Sequence, residues 1–240
     1  MRPVIHKQKS LAVVYDASII GVPGAEFFSV DYWKSRKALT GEAVGRGSAW
    51  FIDAPFGPVV LRQYLRGGWV AKFIRQSYFF TTVARSRPFR EYHLLAALYE
   101  LGLPVPQPVA AICEHHGIRS TGAIMTVRLS SVQTLADILP GNIGAPEYPE
   151  GFWKSIGKCI RRFHDAGVWH ADLNARNILI DAGQQVFLID FDKAQFTPGK
   201  VVNGKGNLER FKRSLSKLWP TGELSAMQPA WVQVMAGYHE

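Results

Sequence analysis

The chain has 240 residues, 47% of them hydrophobic and 12% aromatic, and 28 Lys and Arg against 19 Asp and Glu give it a formal charge of +9. That composition excludes a disordered chain and is enough for one large core or two modest lobes. No apolar run approaches the ~20 residues a membrane-crossing helix needs, and two cysteines, Cys113 and Cys159, are too few and too isolated for a disulfide framework or a zinc site.

The excess of cations suits a polyanionic partner, whether nucleic acid, anionic lipid or a charged small acceptor, and equally serves simple solubility. Leu11 to Ile20 comes nearest to a secretory signal core, but Asp16 interrupts it and no small-residue cleavage site follows. The chain is therefore expected to remain in the cytoplasm.

In chain order, a strand is expected over Leu11 to Tyr15, then a turn at Pro23-Gly24 and a small helix capped by Asp31 and ended by Gly41. Glu42 to Asp53 reads as a strand, the segment from Ala54 to Pro58 as a turn, and Val59 to Tyr64 as a returning strand. An insertion from Arg66 to Arg87 interleaves Trp69, Phe73, Tyr78, Phe79 and Phe80 with basic residues. It would suit an anionic headgroup, a membrane surface or single-stranded nucleic acid, or serve as an amphipathic cover. A helix then starts near Pro88 and carries Leu94, Leu95, Leu98 and Leu101 on its apolar side.

The proline-rich break at Leu103 to Pro108 is followed by strands near Val109 to Cys113 and Ala123 to Val127, with a His115-His116-Gly117 turn after the first. Leu135 to Leu139 looks helical. Phe152, Ile156, Ile160 and Phe163 make one apolar stripe on a helix that ends at Gly167. Near the end Asn207 is placed as the cap of a helix over Leu208 to Trp219, with Leu208, Phe211, Leu215 and Leu218 on one face and Arg210, Arg213 and Lys217 on another.

The chemistry concentrates between His170 and Lys193. There Asp172 is followed five positions later by Asn177, and Asp190 comes after an apolar run and a turn at Asp181-Ala182-Gly183. Phosphoryl transfer needs such a set: a carboxylate to orient and deprotonate a hydroxyl, and hard oxygen ligands for a divalent ion on the phosphates. Magnesium binds few protein groups, so Asn177 and Asp190 would suffice as its ligands. Upstream, Gly45-Arg46-Gly47-Ser48 lies before a strand, where glycines let backbone amides approach phosphate closely.

These segments resemble the catalytic-loop and D-F-G elements of the protein-kinase-like superfamily. The resemblance implies an α+β, two-lobe fold: an N-terminal nucleotide-binding lobe over 1–128, an antiparallel sheet with one main helix, and a small helical catalytic lobe over 129–240. It places Arg62 where those kinases carry a phosphate-binding lysine and makes Glu91 its partner, while Val127 in the hinge from Thr126 to Leu129 would pair the adenine edge through its backbone. Gly45, Gly47 and Ser48 join Arg62 and Glu91 on the nucleotide.

The departures narrow the acceptor. Only 50 residues follow Asp190, too few for a peptide platform, Asp192 replaces the usual glycine, and Ala145-Pro146-Glu147 precedes the catalytic loop. Arginine at position 62 and the Asp190-Phe191-Asp192 run instead resemble the bacterial lipopolysaccharide-core kinases, nearly end to end. That family implies ATP and magnesium as cofactors and phosphorylation of a hydroxyl, taken as O4, of 3-deoxy-D-manno-octulosonic acid (Kdo) on a lipid A precursor. It implies peripheral attachment to the cytoplasmic side of the inner membrane and no nucleic acid partner. Asp192 and Lys193 are carried as further candidates for metal, acceptor or phosphate contact. Two other readings stand beside it: an aminoglycoside- or choline-phosphotransferase-like kinase, and a nucleotide- or nucleic-acid-binding module without turnover.

Overall fold

The computed structural model describes residues 1–8, 10–43, 49–64, 83, 85–116, 119–139, 148–220 and 224–240. The glycine segment at Gly45, Gly47 and Ser48, most of the aromatic insertion, Gly117 and Ala145-Pro146-Glu147 lie outside them. The chain divides into two compact units, one of Met1–Glu100 with Pro106–Arg128 and the other of Leu101–Val105 with Leu129–Glu240.

The first unit is an antiparallel sheet with one long helix, as the α+β reading expects. Its strands are β1 (Pro3–Lys7), β2 (Leu11–Asp16), β3 (Leu39–Ala43), β4 (Ala49–Ala54), β5 (Gly57–Tyr64), β6 (Pro108–His116) and β7 (Arg119–Val127), ordered β1-β2-β6-β7-β5-β4-β3. The β-branched and aromatic residues of these segments suit a pleated surface, and Val13, Tyr15, Ile52, Val59, Leu61, Val109, Ile112 and Met125 form its core together with Phe28 and Trp33. The single strand expected from Glu42 to Asp53 is instead a pair, β3 antiparallel to β4. Gly41 therefore sits inside β3 and ends no helix. The short helix α1 (Val30–Ser35) follows Ser29, and Asp31 lies within its first turn and is not the cap.

The long helix α2 (Arg87–Glu100) lays Phe89, Tyr92, Leu95 and Leu98 inward, whereas Leu101 lies beyond its end and is 58% exposed. A Cβ on Gly122 of β7 would come within 2.7 Å of the Pro88 ring, so glycine there lets the start of α2 lie close on the sheet.

The second unit is mainly helical. It holds α3 (Phe152–Asp165), α4 (Lys205–Leu218), α5 (Leu224–His239) and short strands β8 (Val132–Thr134), β9 (Val168–Trp169), β10 (Ile178–Asp181), β11 (Val186–Leu188) and β12 (Gln195–Phe196). These strands form a β11-β10-β8 sheet and a β12-β9 pair. A Cβ on Gly157 of α3 would stand 1.9 Å from the Val234 carbonyl oxygen, and one on Gly237 of α5 would stand 2.0 Å from that of Lys154. Helices α3 and α5 therefore pack backbone against backbone.

Two expectations fail here for local reasons. Leu135 to Leu139 forms turns: the Leu135 and Ala136 amides donate to the Ile178 and Ala175 carbonyls, and those of Asp137 and Ile138 share the Thr134 carbonyl. Asn207 is no cap: α4 begins at Lys205, and the Asn207 side chain is buried. Cys113 and Cys159 are buried and form no disulfide, and burial pushes the Cys159 thiol up to about 12.

Candidate active site

Gly167 turns the chain out of α3 with φ +90°, a left-handed conformation that a side chain would strain, and its carbonyl accepts the Thr197 amide at 2.8 Å. The β9-β12 pair that follows delivers His170 at the start of the loop. His170 is 2% exposed. Its Nε2 lies 2.9 Å from the Ile189 carbonyl oxygen, which can only accept, so Nε2 carries the proton. Nδ1 then accepts the Asp172 amide at 3.2 Å. Burial holds the His170 pKa below its ordinary value, partly offset by the Ile189 bond and by Asp190 and Asp172. The imidazole is a neutral strut joining the Asp172 loop to the segment that ends in Asp190.

The next turn fixes the two amides. Asn174 accepts the Arg176 amide at 2.9 Å and opens a 3-10 turn over Ala175–Asn177. Asn174 and Asn177 both donate through Nδ2 to the Asp172 carbonyl oxygen, each at 2.9 Å. With its amide nitrogen committed inward, Asn177 is left to present Oδ1 as its outward acceptor. The Ile189 amide donates to the Asn177 carbonyl at 3.0 Å, and Ile178 pairs with Leu188 across β10 and β11. Those bonds bring Asn177 and Asp190 to neighbouring places. Asp190 has φ 66°, and the following Phe191 is 1% exposed, packed edge-on to His170 at 4.8 Å and stacked on Phe163 at 5.7 Å.

The Asp172 carboxylate itself is 58% exposed and pairs with Arg210 of α4, Nη1 to Oδ1 at 3.1 Å. From the sequence, Arg210 shares a basic helical face with Arg213 and Lys217 that suits either an anionic interface or solvent. Its neighbours on α4 also serve the loop. Asn207 Oδ1 accepts the His170 amide at 3.0 Å, its Nδ2 donates to the His170 carbonyl at 2.7 Å, and Ser214 Oγ accepts the Ala175 amide at 3.1 Å. Asn207 Oδ1 also meets His164 Nε2 at 3.0 Å, and His164 Nδ1 meets the Tyr238 hydroxyl at 2.8 Å. The only signal for this in the sequence is spacing: positions 207, 210 and 214 fall on one helical face.

In the first unit, Arg62 of β5 donates from Nη2 to Glu91 Oε1, forming an ion pair with a carboxylate that is 2% exposed. The Tyr64 hydroxyl donates to Glu91 Oε2 and accepts from Arg62 Nη2 at 3.2 Å. Burial, then the Glu91 charge, push the Tyr64 phenol well above its ordinary range, so it stays a donor. The Arg62–Glu91 partnership expected from the sequence is present, with Tyr64 as an unforeseen third member. The Val127 amide donates to the Gln107 carbonyl at 2.8 Å and the Arg128 amide to that of Pro58 at 2.9 Å. Any backbone reading of an adenine edge at Val127 would therefore fall to its carbonyl.

The residues present fit magnesium. Asn177 and Asp190 offer one amide and one carboxylate oxygen held on adjoining segments, and an ion that keeps its waters and phosphate oxygens needs no more. Among the described residues no three His, Cys, Asp or Glu side chains gather into a protein-only cage. Asp192 is half-buried and Lys193 exposed, both just past Phe191.

Comparison with known proteins agrees with this layout. Residues 30–238 match the family described as "Lipopolysaccharide kinase (Kdo/WaaP) family". A protein of Stenotrophomonas maltophilia (strain R551-3) named 3-deoxy-D-manno-octulosonic acid kinase is 42% identical over 228 residues, covering 95% of this chain and 89% of the relative. One of the same name from Xanthomonas euvesicatoria pv. vesicatoria (strain 85-10) is 43% identical over 208 residues, 86% of this chain and 81% of the relative. With the match running through both units, the chain belongs to the lipopolysaccharide kinase (Kdo/WaaP) family.

Proposed function

We propose that this kinase transfers the terminal phosphoryl group of ATP to a hydroxyl, O4, of Kdo carried on a lipid A precursor. The observation that carries the reading is the Asp172 loop: its carbonyl is tied down by two asparagine amides while its carboxylate stays open to a substrate. The names of the relatives supply the acceptor class.

In this reading Asp172 is the catalytic carboxylate. It accepts the hydrogen bond of the acceptor hydroxyl, aims that oxygen and takes its proton as the oxygen–phosphorus bond forms and ADP departs. Asn177 and Asp190 would hold magnesium, which would supply charge screening to the triphosphate oxygens. Arg62, held by Glu91 and Tyr64, presents a guanidinium to phosphate, with Gly45, Gly47 and Ser48 supplying amides. Asp192 is a further candidate for the metal or the acceptor, and Lys193 for a phosphate. His170 does no chemistry and keeps the loop's shape.

The acceptor is an anionic glycolipid, so we place the protein at the cytoplasmic side of the inner membrane as a peripheral protein that binds no nucleic acid. Among the described residues no helix is long and apolar enough to cross a membrane. Support for surface attachment is the exposed Arg213 and Lys217 on α4. Flotation with vesicles containing anionic lipid, and not with neutral ones, is the expected result.

The decisive assay incubates purified protein with magnesium, labelled ATP and, separately, Kdo-lipid A precursor, an aminoglycoside or a protein. Label in the lipid is expected; label only in an aminoglycoside or a protein rejects the assignment. Asp172→Ala should lower transfer by about 10³-fold or more with ATP binding nearly unchanged. Retained turnover would remove Asp172 from the mechanism.

A further inference from the structure

Three side chains on one face of α4 reach the catalytic loop, and one behaves differently from the other two. Within the loop Asn207 and Ser214 bind only backbone, at His170 and Ala175. Those bonds, together with Asn174 and Asn177 on the Asp172 carbonyl, already fix the loop. Arg210 instead approaches the Asp172 carboxylate, the group that would hold the acceptor hydroxyl.

Folding does not account for it. The two side chains are 47% and 58% exposed, and an ion pair that open contributes little to stability. One Nη1 contact also leaves most of a five-donor fork without a bond among the described residues. An acceptor hydroxyl resting on Asp172 would bring the rest of its sugar beside that fork. A sugar acid carries a carboxylate a few bonds from its ring hydroxyls, and a guanidinium fork matches a carboxylate with two parallel hydrogen bonds.

We infer that Arg210 is a specificity-determining residue that reads the acceptor's own carboxylate, with Asp172 and Arg210 together recognising a hydroxyl and an acid on one sugar. The inference rests on the Kdo reading above and deepens it. It also explains why this cation comes from a helix some forty residues downstream: the loop has Asn174 where a loop-borne cation could have stood, and that asparagine is occupied in shaping the turn.

The test crosses two changes. Initial rates are measured for the wild type, Arg210→Gln and Arg210→Lys on Kdo-lipid A precursor and on the same acceptor with its Kdo carboxylate converted to the amide. For the wild type, amidation should lower kcat/KM by about 10- to 100-fold, the range of a charge-assisted hydrogen-bond pair. Arg210→Gln should show a similar loss on the native acceptor but little further loss on amidation, and Arg210→Lys, a point charge without the fork, should fall between. The KM for ATP should not move, and thermal unfolding should match the wild type.

Multiplying losses, in which amidation costs Arg210→Gln as much as it costs the wild type, would overturn the assignment and leave Arg210 as a positioning partner of Asp172. A wild type active on neither acceptor would overturn the Kdo reading and this inference together, so the two failures are distinguishable.

Discussion

The Arg62–Glu91–Tyr64 group and the Tyr238–His164–Asn207–His170 chain are both buried polar assemblies, yet they handle charge in opposite ways. In the first unit the charges themselves are taken out of water, with Glu91 2% exposed against a partly covered Arg62. Coulomb attraction and the Tyr64 hydroxyl offset that desolvation. In the second unit every buried member is neutral, and the charged groups, Asp172 and Arg210, stay at the surface. A cation that meets a polyphosphate gains from being held rigid and weakly hydrated. The role proposed for Asp172, accepting a proton, needs access, which fits a loop built from uncharged struts that leave the carboxylate outside.

The comparison is broken most severely by removing one member from each assembly. Glu91→Ala removes the buried carboxylate that Arg62 and the Tyr64 hydroxyl share and should cost about 3 kcal/mol. Asn207→Ala leaves the His170 amide and carbonyl and the His164 Nε2 proton without partners, and should cost about 3 kcal/mol or more unless water enters. Urea unfolding reads both losses. Kinetics separates them: Glu91→Ala should act mainly on the KM for ATP, Asn207→Ala mainly on kcat. A shared effect on both parameters would mean the two assemblies do not have separate jobs.

A smaller effect comes from acid, which strikes the neutral assembly. His164 and His170 both have folded pKa values below the ordinary 6.5, in each case first through burial. For His170 the nearby Asp190 and Asp172 oppose the shift, and for His164 Asn207 and Asp165 oppose it while Arg161 reinforces it. Between those depressed values and 6.5 the unfolded chain binds protons that the folded chain does not, so stability is full above 6.5 and falls as pH drops. The slope is at most about 1.4 kcal/mol per pH unit for each histidine. Asp16, lowered from 3.8 despite its burial by bonds from Ser18, Arg2 and Gln107, gives up its contribution only in more acidic solution. Unfolding free energies that stay level from pH 7.5 to 5.5 would show that the histidines are not buried neutral.

How far the sequence carried this layout depends on where each partner sits along the chain. Asp172, Asn177 and Asp190 were legible because a loop and one hairpin bring them together within 19 positions, and Arg62 with Glu91 because the resemblance to the kinases implied the pairing. Asn207, Arg210 and Ser214 were not. A polar residue on an amphipathic helix reads as cap or solvated face, and only the fold reveals that this face meets the loop. Helix α5 went unread because Pro229 lies inside it, although its inward residues, Met227, Ala230, Trp231 and Val234, keep helical spacing. Leu135 to Leu139 shows the converse error, an apolar cluster that forms turns and no helix.

A change at Gly206 touches the loop-holding helix and leaves the loop itself alone. Gly206 lies in α4 beside Asn207, is exposed, and would place a Cβ in open space with nothing within 4 Å. Glycine inside a helix keeps excess freedom in the unfolded chain, so Gly206→Ala should stabilise by about 0.5 kcal/mol and raise Tm by about 1–2 °C. Its activity should equal that of the wild type, because none of the Asn207, Arg210 or Ser214 contacts involves position 206. A loss of kcat in this variant would mean that α4 holds the loop through its precise backbone path as well as through three side chains.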